Sequence, residues 1–516
     1  MTDRRIGVNK FGSGVLFGPS DSTDTLAWSL EVDWDQDGAF DGTNEASRMI
    51  GFDMFRGRRN YLRPRGQGFE PIQTGSLTVE LDNHDGRYDG WNTSSPLYPN
   101  VTYGADVRFR VRDMSSTDTT PYSVFYGVIT DIKTSGYGHD AKVTLYVKDG
   151  WYYLRDYTAR VALTENIAPD VAHGLVLDYI GWPTRWGRDL ATNGDNIKFF
   201  WASGNKQAGT VIEDVSNSFV GFFFIAADGK ATYIPRSVAT SSVFDYDQAT
   251  IEKDIGLPQP FEARRNITRI KSYPRTQAAT DIVWQLLGDT PSVQSGTDNE
   301  EIIWANYTRS DLAVPVKDPI TPISSTDYTT NTQADGLGVD KTTQTVVIME
   351  DFGDTAKLTV INISGGDFFI TKLQIRGDAV FLQNNADITY PADIATVTQP
   401  RELFLDLEWQ QDLNVAKDFS NLIGPFMDAL NPFPTIKINN RPAAQYTPDL
   451  FQIVTTSIPK LGIFGDAFRV GGIRHRSRGR NCQKVETTLS LESYISFTNF
   501  WTWPIIDFGT DTIFGA

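Results

Sequence analysis

The sequence predicts a mainly β, multidomain chain carrying α+β inserts. Short stretches in which apolar and polar residues alternate, the period of a half-buried strand, recur along it. Its 516 residues include 12 Trp, 20 Tyr and 31 Phe, and aromatic side chains suit the pleated surface of a sheet. At roughly 100–200 residues per domain, that length accommodates three to four domains.

Taken in order, residues 1–25 are rich in Gly, Ser, Thr and Asp and read as an N-terminal arm that orders on a neighbour. A first small antiparallel barrel is expected over 26–160. Trp28, Leu30 and Val32 alternate in its opening strand, followed by an acidic loop at 33–41 and a basic segment from Arg56 to Arg65. Leu77, Val79 and Leu81 mark the next strand, and turn residues break it at Asp82-Asn83-His84-Asp85-Gly86. A long excursion with Tyr88, Trp91, Leu97 and Tyr98 as apolar anchors ends at Gly104, where Val107, Phe109 and Val111 resume the alternation. Val124, Tyr126 and Val128, then Val143, Leu145 and Val147, complete the set.

The pattern changes in the α+β insert, 161–240. Pro169 suits the first turn of a helix, and Val171, Leu175 and Tyr179 follow at helical spacing before Gly181. Ile212, Val215 and Phe219 suggest a second helix. An apolar strand, an Asp228-Gly229 turn of the type I′ class and a return strand then form a hairpin. A second barrel begins over 241–287 with the alternation of 266–275. The tract 288–345, rich in Thr, Ser, Asp and Gly, is expected to form long loops or partial disorder. A compact β-sandwich-like insertion follows at 346–395. Over 396–495, a helix marked by Leu413, Ala416, Phe419, Leu422 and Ile423 and stopped at Gly424-Pro425 precedes two strands that close the second barrel. The segment 496–516 is aromatic and punctuated by glycine, and reads as a C-terminal docking tail: Phe497, Phe500, Trp501 and Trp503 could stack sugars, but burial on another subunit suits a segment without a core of its own.

One stretch carries a family resemblance. A strand ending Leu81-Asp82-Asn83 is followed by Asp85-Gly86-Arg87-Tyr88, then by Ser95-Pro96-Leu97-Tyr98, then by Gly104 ahead of an Arg-bearing strand. This order resembles the first barrel of the tail-tip hub proteins of long-tailed bacteriophages, also called minor tail or baseplate hub proteins, over about the first third of the chain. The resemblance implies a structural, non-enzymatic virion protein at the tail tip, with two hub-type barrels per chain, so that a homotrimer presents a six-fold-like ring. It also implies partners: distal tail or tube ring proteins, the C-terminus of the tape-measure protein, and distal tip or fibre proteins. DNA would be met by passage through the lumen.

The sharpest local motif is Asp33-Trp34-Asp35-Gln36-Asp37-Gly38-Ala39-Phe40-Asp41. Calcium takes six to eight oxygens, and carboxylates at alternate positions around a glycine bend supply them. Asp33, Asp35, Asp37, the carbonyl of Ala39 and Asp41 are the candidate ligands. Asn44 stands where the EF-type loop has its bidentate Glu, with Glu45 adjacent. The competing reading is a solvated acidic turn. Two basic runs, Arg56, Arg58, Arg59, Arg63 and Arg65, and Arg474, His475, Arg476, Arg478 and Arg480, could touch nucleic acid but suit ion pairs with neighbouring subunits better.

The net charge of −17 argues against general nucleic-acid binding. With Cys482 as the single cysteine, no intrachain disulfide forms. The N-terminus lacks the apolar core of a signal peptide, and no apolar run reaches the roughly 18 residues that span a bilayer, so synthesis in the host cytoplasm without a membrane span is expected. Nucleophile-elbow, zinc-protease and phosphate-loop motifs are missing, and His84, His139, His173 and His475 read as surface or turn histidines, which leaves no catalytic residue to name. Two rival functions remain: a glycan or peptidoglycan hydrolase with β-domains as carriers, and a calcium-dependent carbohydrate-binding adhesin.

Overall fold

The computed structural model describes residues 25–494 apart from 64–65, 193, 237–240, 252–263, 298, 384–385, 430–432, 460–462 and 478–481. The expected arm at 1–25, but for Thr25, and the expected docking tail at 496–516 lie outside the described residues.

The N-terminal strands are β1 (Leu26–Val32), β2 (Met49–Gly57), β3 (Gln73–Asp82), β4 (Asp106–Asp113), β5 (Tyr122–Ser135) and β6 (Lys142–Lys148). They pair in the order β1-β4-β5-β6-β3-β2, and β2 then continues onto a late strand, Ile463–Ser477. The alternating residues point inward as their period requires: Leu77, Val79, Leu81, Val107, Phe109 and Val111 are all fully buried. Trp28 stacks on Phe109 with ring centroids 4.8 Å apart and meets Phe52 edge-on at 4.9 Å. Strand β2 escapes the sequence reading, because Gly51, Asp53 and Arg56 dilute the alternation of Phe52 and Met54.

Neither expected barrel closes among the described residues. The strands form one open eleven-stranded sheet that takes in β1–β6 together with Asp245–Asp247, Thr435–Asn439, Ile453–Ile458, Ile463–Ser477 and Val485–Ser493. At the free edge of β1 a side chain substitutes for a strand: the amide of Gln483 accepts from Leu26 N at 3.2 Å and donates to Leu26 O at 2.9 Å. The strand expected to open the second barrel, Ile267–Ser272, instead joins Ala386–Tyr390 and Glu402–Leu407 in a separate three-stranded sheet.

After β6 come α1 (Gly150–Asp156), N-capped by Asp149, then α2 (Pro169–Tyr179) and α3 (Ala208–Ser218), with two small sheets. On α2 the buried face is Ala172, His173, Val176 and Leu177, whereas Val171 and Tyr179, the residues that announced the helix, are exposed. The hairpin at 222–234 turns through a longer loop than type I′ provides. Gly229 alone in that turn has positive φ, at 93°, and its N–H reaches Ala226 O at 3.0 Å. Trp151, Trp182 and Trp186 merge this α+β region into the same apolar cluster as the large sheet.

The tract 288–345 is folded. Its strands Ser292–Val293, Val316–Ile320 and Tyr328–Asn331 each pair with the long strand Phe368–Leu382, and Glu300–Asn306 pairs with Thr355–Asn362. A sandwich-like core results, with Tyr307, Val316, Leu358, Phe368 and Ile375 among its members. Sparse apolar residues suffice because Phe368–Leu382 templates three of the short strands and Thr355–Asn362 templates Glu300–Asn306. Helix α4 (Leu413–Asp428) runs through Gly424-Pro425 rather than stopping there. The extra turn is held by tertiary contact: Met427 is buried and its carbonyl accepts from Arg265 N at 2.9 Å.

Candidate functional site

The acidic loop leaves β1 at Asp33. A backbone bond from Asp33 N to Asp106 O, 3.0 Å, continues the β1–β4 ladder to the loop's first residue. The carboxylates of Asp33, Asp35 and Asp37 converge, with one oxygen of each within 4.8 Å of the others. Asp33 is 2% exposed, Asp35 and Asp37 are open to solvent, and Asp41 is exposed outside the cluster. Gly38 N donates to Asp33 Oδ2 at 3.0 Å and Ala39 N to Asp37 Oδ1 at 2.8 Å. Burial raises the Asp33 carboxyl above its usual range, opposed by the Gly38 bond and reinforced by a hydrogen bond with the Asp35 side chain and by the charges of Asp37 and Asp106.

Asn44 and Glu45 have other work. Asn44 Oδ1 accepts from Leu30 N and Ala46 N at 2.9 Å each, and its Nδ2 donates to Trp28 O at 3.0 Å. Glu45 is buried and accepts from Tyr88 OH at 2.6 Å and from Arg87 at 2.9 Å. The twelfth-position ligand of an EF-type loop is therefore not supplied by either residue.

Those bonds fix the excursion between β3 and β4. Its backbone folds as consecutive turns, with the N–H of Gly86, Asp89, Asn92, Ser95 and Tyr98 each reaching the carbonyl three residues before it. Tyr88 is fully buried and Leu97 packs on the core, as expected of anchors. Trp91 and Tyr98 are no anchors: they are 97% and 47% exposed, and Tyr103 also faces solvent. Arg48 clamps the base of the loop through two bonds to Asp85, 2.9 and 2.7 Å long.

The two basic runs meet each other, because β2 pairs with Ile463–Ser477. Among the described residues, Arg56, Arg58 and Arg474 are committed within the chain. Arg474 donates twice to Asp53, at 3.0 and 2.6 Å, and Arg56 pairs with Asp449 at 2.7 Å. Arg58 makes a buried bidentate pair with Glu492. Arg59 and Arg63 remain on the surface, while Arg65, Arg478 and Arg480 lie outside the described residues. Beside the Arg58–Glu492 pair, Tyr61, Glu213, Phe222 and Arg469 line a partly open pocket with about 60 Å³ of room. That is room for a few waters at roughly 10–15 Å³ each.

His84 and His139 are exposed as expected, but His173 and His475 are buried. Burial lowers both rings to a pKa of about 3, so each is neutral. His173 Nε2 lies 3.1 Å from Ser216 Oγ, but its Nδ1 has no hydrogen-bond partner, so no carboxylate orients the ring as a base would require. Sequence periodicity hides these two rings because neither interrupts an apolar face.

No family model and no curated protein sequence matches this chain. Solved structures similar to it include phage tail proteins. The 43 kDa tail protein of prophage MuSo2 from Shewanella oneidensis is 10% identical, with a TM-score of 0.47 over 90% of this chain and 98% of that one. A tail protein from Neisseria meningitidis MC58 is 11% identical, with a TM-score of 0.47 over 91% and 98%. Prophage tail protein gp18 from Listeria monocytogenes EGD-e is 9% identical, with a TM-score of 0.42 over 90% and 94%.

Proposed function

We propose that this chain is a structural component of a phage tail, the central hub of its tip. It links the tail tube to distal tip components and encloses the end of the tape-measure protein. It works by assembly rather than catalysis: three copies surround a channel, and the two ends of the large sheet serve as the paired modules of each copy. Tube ring proteins sit on one side, tip or fibre proteins on the other, and DNA passes through the lumen.

The observation that carries this reading is the loop joining β3 and β4, where the family resemblance is concentrated. Its Tyr88 and Leu97 are held inside, while a chain of turns holds Trp91 and Tyr103 in solvent. A rigid loop that displays aromatic side chains loses little conformational entropy on docking, and such residues are typical interface anchors. Among the described residues no helix is long and apolar enough to cross a membrane. Cryo-EM of intact tails tests the proposal: density for this chain is expected at the tip, arranged around the tail axis.

A further inference from the structure

We propose that Asp33, Asp35 and Asp37 hold a divalent cation, calcium, in the loop that follows β1. This goes beyond the tail-hub reading and does not depend on it.

An acidic turn with all its carboxylates in water would need no ion. Here the first carboxylate is inside the protein. Asp33 is 2% exposed, Gly38 N satisfies its Oδ2, and its Oδ1 is buried with no hydrogen-bond donor. A buried carboxylate oxygen without a donor is costly, and a cation removes that cost by direct coordination. Arg185 passes close by, since a Cβ at Gly38 would stand 3.8 Å from its Cδ, but its guanidinium donates to Asp106 at 2.5 and 3.2 Å. The two other carboxylates that approach Asp33 would repel it and each other without an ion between them. All three present hard oxygens, as calcium and magnesium prefer.

Calcium suits the site better than magnesium. Asp35 and Asp37 lie on an exposed turn, and calcium tolerates irregular coordination completed by water, whereas magnesium demands a near-ideal octahedron. The ligand set differs from the EF-type pattern of the sequence. Asp41 stands outside the cluster, and Asn44 and Glu45 are engaged elsewhere. Three carboxylates without a bidentate twelfth ligand place the affinity in the range of extracellular calcium modules, about 0.1–1 mM.

Terbium, a luminescent stand-in for calcium excited through a nearby tryptophan, tests the site in the full chain. Trp34 lies between two of the ligands and is buried. Saturable sensitised emission is expected, reversed by added calcium and weakened at least tenfold in affinity by Asp35→Asn with Asp37→Asn. Both side chains are exposed, so the double variant keeps the fold, and unchanged circular dichroism checks this. Trp34→Phe should remove the emission, while calcium should still raise the melting temperature relative to chelated protein, since binding to the native state stabilises it. Absence of saturable emission, or emission and calcium-dependent melting unchanged in the double variant, would overturn the proposal.

Discussion

Glycine 57 marks the place where the first and last parts of the chain touch. Its φ of 102° brings its backbone so near the opposite strand that a Cβ would stand 2.8 Å from Gly472 Cα. Gly472 is equally confined, because its own Cβ would meet Arg58 O at 2.7 Å. The close approach lets Arg58 N bond Gly471 O at 2.9 Å and lets its guanidinium reach Glu492, 434 residues away. Nothing local in the sequence foretells such a pair. The arginine run was visible, but its partners were not, since they come from the other end of the chain. The acidic loop was legible because its carboxylates are sequence neighbours. Buried titratable groups give this scale its prediction. Burial holds His475 at about 3, so its contribution is complete above pH 6.5 and is lost as pH falls from 6.5 towards 3. Asp149 is raised by burial to about 7 from 3.8, so its contribution is complete below pH 3.8 and is lost as pH rises through about 7. Asp149→Asn, which keeps an acceptor for Trp151 N, should therefore gain on the wild type by about 1.4 kcal/mol per pH unit between those limits. His475→Gln should gain on the wild type in the opposite direction, as pH falls below 6.5. Urea unfolding at a series of pH values measures both, and parallel wild-type and variant curves would contradict the assignment.

Elements were read well where the apolar alternation was undiluted and poorly where tertiary contact decided the outcome. Strands β3, β4 and β6 each keep three buried residues at period two, and each lies where the sequence places it. Helix α4 passes its Gly-Pro signal because Met427 and its carbonyl find partners beyond the break. Within 288–345, Ser292–Val293, Val316–Ile320 and Tyr328–Asn331 depend on Phe368–Leu382, a template that propensity cannot see. Within the loop between β3 and β4, the buried side-chain bond is Tyr88 OH to Glu45 Oε2 at 2.6 Å. Tyr88→Phe leaves the ring in place and strands Glu45 Oε2, while Oε1 keeps its bond from Arg87, at about 1–3 kcal/mol for an unsatisfied buried group. Hydrogen exchange should then quicken across 85–102 while β3 and β4 stay protected. Equal protection in variant and wild type would mean that the turns alone hold the loop.

At the scale of the whole molecule, a chain that reads as two successive barrels is organised by one open sheet. Its first six strands and its last three belong to a single apolar cluster, with Tyr446 packed on Trp28 at 6.0 Å between ring centroids. Pairing between distant segments leaves no periodic trace, so β2 against Ile463–Ser477 could not be read from either one. A fragment of residues 26–160 should consequently fail to unfold cooperatively alone, since it exposes the β2 edge and one side of Trp28. Cooperative unfolding of that fragment at the full-length melting temperature would show that the late strands are dispensable. The proposed hub is tested most directly by the copy number and position of this chain in cryo-EM maps of intact tails. Three copies around a channel at the tip are expected, with the loop carrying Trp91 against a neighbouring subunit. A single copy on the tail axis, or no density for the chain in the tail, would contradict the proposal.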